Sequence, residues 1–340
     1  MSRTSDRPIV VAASDKFRGT ATATEIADVV AGAASANGWR SLRRPVADGG
    51  EGLLEALGGP NRSTVVTGPL GDPVEAAWRL DGRTAVVEMA TASGLLLAGG
   101  ADGNDALSAT TAGTGELIVE AAQAGARRII VGVGGSATTD GGWGALRAME
   151  PLARLRGVEI EVACDVRLEF VDAATRFGPQ KGASPAQVQL LEGRLRRLGQ
   201  VYEEQFGVDV TGLRHGGAAG GLAGGLAAVG ATLRAGFDLV AEEVGLDDSL
   251  DGADLVVTGE GLLDDQSVDG KVVGGVIELA ESFDVPVLVV VGAIAEGDQA
   301  PPALDGVEVV SLAARYGIDA AMSRTAELVG EVVTERLARG

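Results

Sequence analysis

Cysteine and histidine each occur once in these 340 residues, aromatic residues make up 3%, and lysine appears three times against twenty-five arginines. A single cysteine, Cys164, excludes an intramolecular disulfide and a zinc cluster. It lies in the apolar run 158–166, where a buried strand thiol is expected. A single histidine, His215, argues against a Ser-His-Asp hydrolase and reads as a local hydrogen-bonding residue. Few aromatics mean that the core must be built from Val, Leu, Ile and Ala, and the 46% hydrophobic content is ample for one. No uninterrupted apolar run is long enough for a bilayer and no charged-then-apolar leader opens the chain, so the expected location is cytoplasmic with no membrane partner. Basic charge is also scarce: the formal net charge is -20 and the pI about 4.4, which argues against nucleic acid as a partner. An anionic substrate would need a local positive pocket on this negative body.

Glycine, by contrast, is abundant, with 52 residues spread without a three-residue period, so neither collagen nor a low-complexity segment is implied. Apolar strand-like runs alternate with amphipathic helical patterns, the mark of an α/β protein with largely parallel sheets. Expected strands are 8–13, 41–46, 63–67, 85–89, 128–133, 158–164, 253–258, 285–291 and 307–311. Thr22 with Glu25 forms a capping box before one helix, and Ser184-Pro185 starts another. Three strands before residue 75 and three after residue 250 predict a doubly wound, six-stranded sheet from 1–75 plus 250–340. Residues 76–249 are then expected as a second, inserted α/β domain.

The three lysines, Lys16, Lys181 and Lys271, all stand in glycine-bearing segments. A compact ammonium beside flexible polar backbone suits a phosphate whose geometry changes during transfer. Glycines after a strand at Gly132-Val-Gly134-Gly135-Ser136-Ala137 would let backbone N–H groups approach a phosphate, with Asp140 a candidate magnesium ligand beside it. The same stretch formally matches G-x-G-x-x-A, which keeps a nicotinamide-dependent oxidoreductase as an alternative, although the polar run 136–140 departs from the apolar helix start that fingerprint requires. Asp48 and Glu51 in Pro45-Val-Ala-Asp-Gly-Gly-Glu-Gly52 place two carboxylates at a strand end, where open α/β sheets bind ligands. Glu260, Asp264, Gln266, Ser267 and Lys271 crowd another post-strand loop that lacks the Walker A pattern. Asp165, directly after a strand, could hold a metal or accept a hydroxyl proton.

Taken in order, these segments resemble the glycerate kinase type I family over nearly the whole chain. The carriers are Ala13-Ser-Asp15-Lys16-Phe17-Arg18-Gly19-Thr20, Pro45 to Gly52, Thr111 to Ile118, Gly134 to Gly142, Ala163-Cys-Asp165-Val166, Gly178 to Ala183, Gly217 to Gly221, Thr258-Gly-Glu260-Gly, Asp264, Gln266 and Gly270-Lys271. The resemblance implies ATP-dependent phosphorylation of D-glycerate, giving 2-phosphoglycerate rather than 3-phosphoglycerate, in a cleft between two α/β domains. Mg²⁺ is expected to be held by carboxylates from among Asp48, Asp140, Asp165 and Asp264, with Asp140 and Asp264 the foremost metal candidates. Asp165, Lys271, Lys16 and Arg18 are the expected catalytic residues. Asp48, Glu51, Gly134, Gly135, Ser136, Lys181, Glu260 and Gln266 are the expected substrate and phosphate contacts. Four places depart from the family pattern: Arg18 for lysine, Leu262 for arginine, Val273 for proline, and Val166-Arg167-Leu168 after Cys-Asp. The changes at 262 and 273 keep a non-catalytic ligand-binding relative as a second alternative, and a homo-oligomer is left open.

Overall fold

The computed structural model describes residues 7–264, 267, 271–295 and 301–339. Eleven strands run along them: β1 (Ile9–Ala12), β2 (Arg40–Arg43), β3 (Arg62–Thr67), β4 (Pro73–Asp81), β5 (Thr84–Glu88), β6 (Arg128–Gly132), β7 (Glu159–Cys164), β8 (Thr232–Ala235), β9 (Leu255–Leu263), β10 (Val287–Ile294) and β11 (Glu308–Ser311). They form a five-stranded sheet, ordered β11-β10-β9-β1-β2, and a six-stranded one, ordered β3 to β8 in sequence. The chain divides accordingly into a unit of Met1–Asp48 with Phe237–Gly340 and a unit of Gly49–Gly236.

In the first unit every strand pairing is parallel. Purely parallel sheets need cover on both faces, and the strands accordingly read as continuous Val, Leu and Ile runs. Helices Ala23–Ala36 and Thr325–Leu337 cover one face, burying Ile26, Val30, Leu328 and Val332 against Val10, Val257 and Val290. Helix Val272–Ser282 covers the other through Val273 and Ile277 against Val289 and Val291. The expected capping box is formed: Glu25 N donates to Thr22 Oγ1 at 3.1 Å and Thr22 N to the Glu25 carboxylate at 2.9 Å. Such a cap holds the helix start by about 1 kcal/mol.

The second unit combines an antiparallel edge, β3-β4-β5, with a parallel run from β5 to β8. Its core joins Trp78, Leu117, Ile118, Ile129, Val131, Met149, Phe170 and Tyr202. The second capping box, Ser184 with Gln187, starts the 22-residue helix Pro185–Phe206.

The fold class is α/β in two units, as expected, but one strand changes sheet. β3, expected in the sheet of the chain ends, is held antiparallel by β4 across a turn in which Gly71 takes φ +96. The sheet of the chain ends therefore has five strands. The units divide at 48/49 and 236/237, where strand counting placed the breaks at 75/76 and 249/250.

Candidate active site

Strand order reverses in the first unit between β1 and β9: β2 lies to one side of β1, and β9, β10 and β11 follow on the other. Crevices at the carboxyl ends of strands beside such a reversal are where open α/β sheets bind ligands. Past Ala12 the chain keeps running along β9, with Ala13 N donating to Val257 O at 2.8 Å and Asp15 N to Gly259 O at 3.0 Å. Gly259 has no room for a side chain, since a Cβ would come 1.8 Å from Val290 O. Phe17, 1% exposed, then anchors a turn closed by Phe17 N to Ala21 O at 2.8 Å. The result is a cavity of about 440 Å³ into which Asp15, Lys16, Arg18, Asp48, Glu260 and Lys271 converge.

Three cations and three carboxylates thus share one small space. Burial pushes the Asp15 carboxyl up to about 6, with Lys16 opposing and Asp48 adding to the rise. Lys16 N donates to Asp15 Oδ1 at 2.7 Å, and its ammonium stands 3.7 Å from the same oxygen. Burial likewise raises Glu260 to about 7, against the Ser267 hydroxyl and Lys271 and with Asp15 and Asp264. Glu260 Oε1 is buried without a hydrogen-bond partner, a costly state unless a ligand or proton satisfies it. Asp264 lies just outside the cavity lining, its Oδ1 accepting from Ser267 N at 3.0 Å and Ser267 Oγ at 3.1 Å. Lys271 stands at the N-cap of helix Val272–Ser282. Gln266 lies outside the described residues.

The remaining candidates belong to the second unit, at the carboxyl ends of β6 and β7. Gly134 and Gly135 are pressed against the loop after Asp48: a Cβ on Gly134 would lie 2.5 Å from Gly50 Cα, and one on Gly135, at φ +66, 2.4 Å from Glu51 Oε1. Packing of two loops is therefore enough to require these glycines. Lys181, 3% exposed, turns inward and donates to Ser136 Oγ at 2.7 Å and Thr138 O at 2.6 Å. Burial lowers its pKa to about 8, while Asp140 and Asp165 act to raise it. Asn104 ties the same loop by donating to Ala137 O at 2.9 Å and Lys181 O at 2.8 Å.

Asp140 departs most from its expected role as a metal ligand. Its Oδ2 accepts from Thr111 N at 2.9 Å, Thr111 Oγ1 at 2.8 Å and Gly144 N at 3.1 Å, and its Oδ1 from Gly142 N at 3.0 Å. Burial raises its pKa against those bonds. A carboxylate so engaged is a hub that fixes the turn and the start of the next helix. Among the described residues no three His, Cys, Asp or Glu side chains converge as a ready metal cage.

Asp165 follows β7 and is half-buried. Glu88 caps the start of helix Leu53–Ala56 by accepting from Gly52 N at 2.9 Å and Leu54 N at 2.7 Å. The Cys164 thiol is buried in β7 with its pKa pushed up by burial. His215 takes a left-handed φ of 70, its Nδ1 lying 2.6 Å from Val166 O. The segment 132–137 does not run into a helix. The turn at Asp140 intervenes and the helix starts only at Trp143, which removes the geometry a dinucleotide fingerprint needs.

The structure therefore gathers Lys16, Arg18, Asp48, Glu260 and Lys271 into one cavity, and the Pro45–Gly52 motif divides, Asp48 falling to the first unit and Glu51 to the second. Sequence reasoning passed over Asp15, whose signal was its place between an apolar strand and a lysine.

Comparison with known proteins adds an independent line. The Glycerate kinase family matches residues 9–151 and 149–339. A glycerate kinase of Bacillus subtilis (strain 168) is 39% identical over 336 residues, covering 86% of this chain and 86% of that protein. A glycerate 2-kinase of Escherichia coli (strain K12) is 36% identical over 361 residues, covering 92% and 90%. A crystal structure assigned as glycerate kinase 2 from Salmonella typhimurium LT2 superposes with a TM-score of 0.83 at 33% identity, over 98% of each chain.

Proposed function

The chain belongs to the glycerate kinase family, and we propose that it transfers the γ-phosphoryl group of ATP to the 2-hydroxyl of D-glycerate, releasing ADP and 2-phosphoglycerate. The observation that carries this is the convergence of Lys16, Arg18 and Lys271 with Asp15, Asp48 and Glu260 in one cavity beside the strand-order reversal. It brings three cations to the place where an acidic protein must receive anionic substrates. The family and the named glycerate 2-kinase relative support the substrate and the position on it.

In phosphoryl transfer the protein contributes positioning and charge neutralisation more than covalent chemistry. Lys16, Arg18 and Lys271 neutralise the phosphate oxygens as charge moves to the leaving group. Glu260, with a pKa of about 7 and an unpartnered Oε1, is set to accept the proton of the attacking hydroxyl. Mg²⁺ would need only one or two carboxylates from the protein and no full protein cage. Asp15 and Asp48, close enough for one to raise the other's pKa, fit that demand as hard oxygen donors. When bound, the ion supplies further neutralisation of phosphate charge. Asp264, whose Oδ1 accepts from Ser267 N and Ser267 Oγ, fixes the Ser267 side chain near Glu260. In the second unit, Lys181 is a positioning residue that shapes the Gly134–Ser136 loop.

The test is ADP release with Mg-ATP over a panel of small hydroxy acids, with the product read by phosphorus NMR. D-glycerate should be the preferred acceptor and the phosphorus should couple to the C2 proton. Absence of ADP release with D-glycerate, or a product phosphorylated at C3, would overturn the corresponding part of the proposal.

A further inference from the structure

The cavity of the first unit is charged at its base and apolar along one wall, and that wall has no part in the transfer chemistry. Ten large apolar side chains are exposed among the described residues, and three of them line this one cavity: Leu262 at 53%, Ile318 at 55% and Met322 at 58%. Ile318 and Met322 stand four residues apart on helix Ile318–Ser323 and so share one side of it. Leu262 comes from β9, the strand that also carries Glu260. Scattered exposed apolar residues need no explanation, but a cluster beside a charged pocket marks a surface that something apolar covers.

The chemistry of the two substrates decides what covers it. Glycerate is a three-carbon hydroxy acid with no apolar face. Only the nucleotide brings a flat, weakly polar ring, joined to the polyphosphate that the neighbouring cations suit. A cavity of about 440 Å³ is in the size range of small-molecule sites. The hydroxyls on its wall offer the ring no proton: Thr20 Oγ1 donates to Phe17 O at 3.1 Å and Thr325 Oγ1 to Ala321 O at 2.5 Å.

We infer that Ile318, Met322 and Leu262 form the seat of the purine ring of the nucleoside triphosphate, held by apolar contact with little choice between purines. This rests on the kinase function proposed above and adds where the nucleotide sits and how it is selected. Lys16, Arg18 and Lys271 take the polyphosphate from the same cavity. Because neither wall hydroxyl has a proton left for the ring's edge, GTP should replace ATP with a loss in kcat/KM of about tenfold or less.

The experiment pairs steady-state kinetics with calorimetry on the full chain, using ATP, GTP and inorganic tripolyphosphate with wild type, Leu262→Ala and the double variant Ile318→Ala/Met322→Ala. All three positions are more than half exposed, so thermal melts should stay close to wild type. Losing the apolar contact should raise KM and Kd for ATP about tenfold or more in the double variant. Turnover at saturation, KM for glycerate and the affinity for tripolyphosphate should hold. An unchanged Kd for ATP would overturn the inference, as would equal losses for ATP and tripolyphosphate, or GTP more than a hundredfold poorer than ATP in wild type. Failure of the kinase proposal looks different. Wild type would then release no ADP with D-glycerate, while the calorimetry would still decide the ring's seat.

Discussion

Asp140 offers the sharpest distinction between a structural carboxylate and a metal ligand. Replacing it with alanine strips the acceptor from three backbone N–H groups, those of Thr111, Gly142 and Gly144, and from the Thr111 hydroxyl. Each buried donor left unsatisfied costs about 1–3 kcal/mol. The hydroxyl can turn elsewhere, and removing a carboxylate whose pKa burial has raised returns part of the loss. The net cost is then about 2–4 kcal/mol. Asparagine can put its carbonyl oxygen where Oδ2 accepts three bonds, but its amide group then faces Gly142 N–H, so Asp140→Asn should cost only about 1–2 kcal/mol. Urea unfolding followed by tryptophan emission suits the question, because Trp143 N donates to Asp140 O at 3.1 Å and its ring is 40% exposed. Both variants should keep the wild-type Mg²⁺ dependence of whatever activity survives. Stability within about 0.5 kcal/mol of wild type in Asp140→Ala, together with a large shift in that Mg²⁺ dependence, would refute the hub and restore the metal ligand.

Other perturbations separate chemistry from packing. If Glu260 is the base, kcat/KM should rise with pH and level off above about 7, and Glu260→Gln should flatten that limb while lowering kcat by a hundredfold or more. The same shift bears on stability with a definite sign. A carboxyl with a raised folded pKa binds its proton more tightly when folded, so its contribution is lost as pH rises from about 4.5 to about 7. At pH 8, Glu260→Gln should therefore be more stable than wild type, by up to about 3 kcal/mol; an unchanged pH profile with unchanged stability would contradict both points. Gly259→Ala should cost more than about 3 kcal/mol or abolish soluble expression, because its Cβ would meet Val290 O at 1.8 Å and only separation of the strands relieves it. Gly32→Ala, inside helix Ala23–Ala36 with nothing within 4 Å of the new Cβ, should instead stabilise by about 0.5–1 kcal/mol; denaturation midpoints of the two variants check the contrast.

Much of the fold was legible because parallel, doubly covered strands read as unbroken apolar runs, and because the Thr22–Glu25 pair and Ser184-Pro185 announce helix starts. β4 was missed although Val74, Ala76, Trp78 and Leu80 alternate with Glu75, Ala77, Arg79 and Asp81, close to the pattern of a half-buried antiparallel strand. Only Ala76 and Trp78 of these are fully buried. That omission sent β3 to the other sheet and moved the domain breaks. β8, four residues carrying an arginine, has too little apolar signal to stand out. At the site, carboxylates and lysines after strand ends were visible as a class. What sequence could not separate was a charge facing a ligand from a charge facing backbone. Lys16 and Lys271 line the cavity, while Lys181, in an equally glycine-rich segment, is turned inward on Ser136 and Thr138. The glycines at 134 and 135 are similar: a phosphate cradle and a close approach of two loops ask for the same residue.

The central claim is that the cations of the first unit's cavity carry the phosphoryl transfer, and steady-state turnover of Lys271→Ala and Lys16→Ala with Mg-ATP and D-glycerate tests it most directly. Loss of one transition-state contact should lower kcat by about a hundredfold or more in each variant, with melting temperatures close to wild type since both side chains are only partly buried. Near-normal kcat in both would contradict the account.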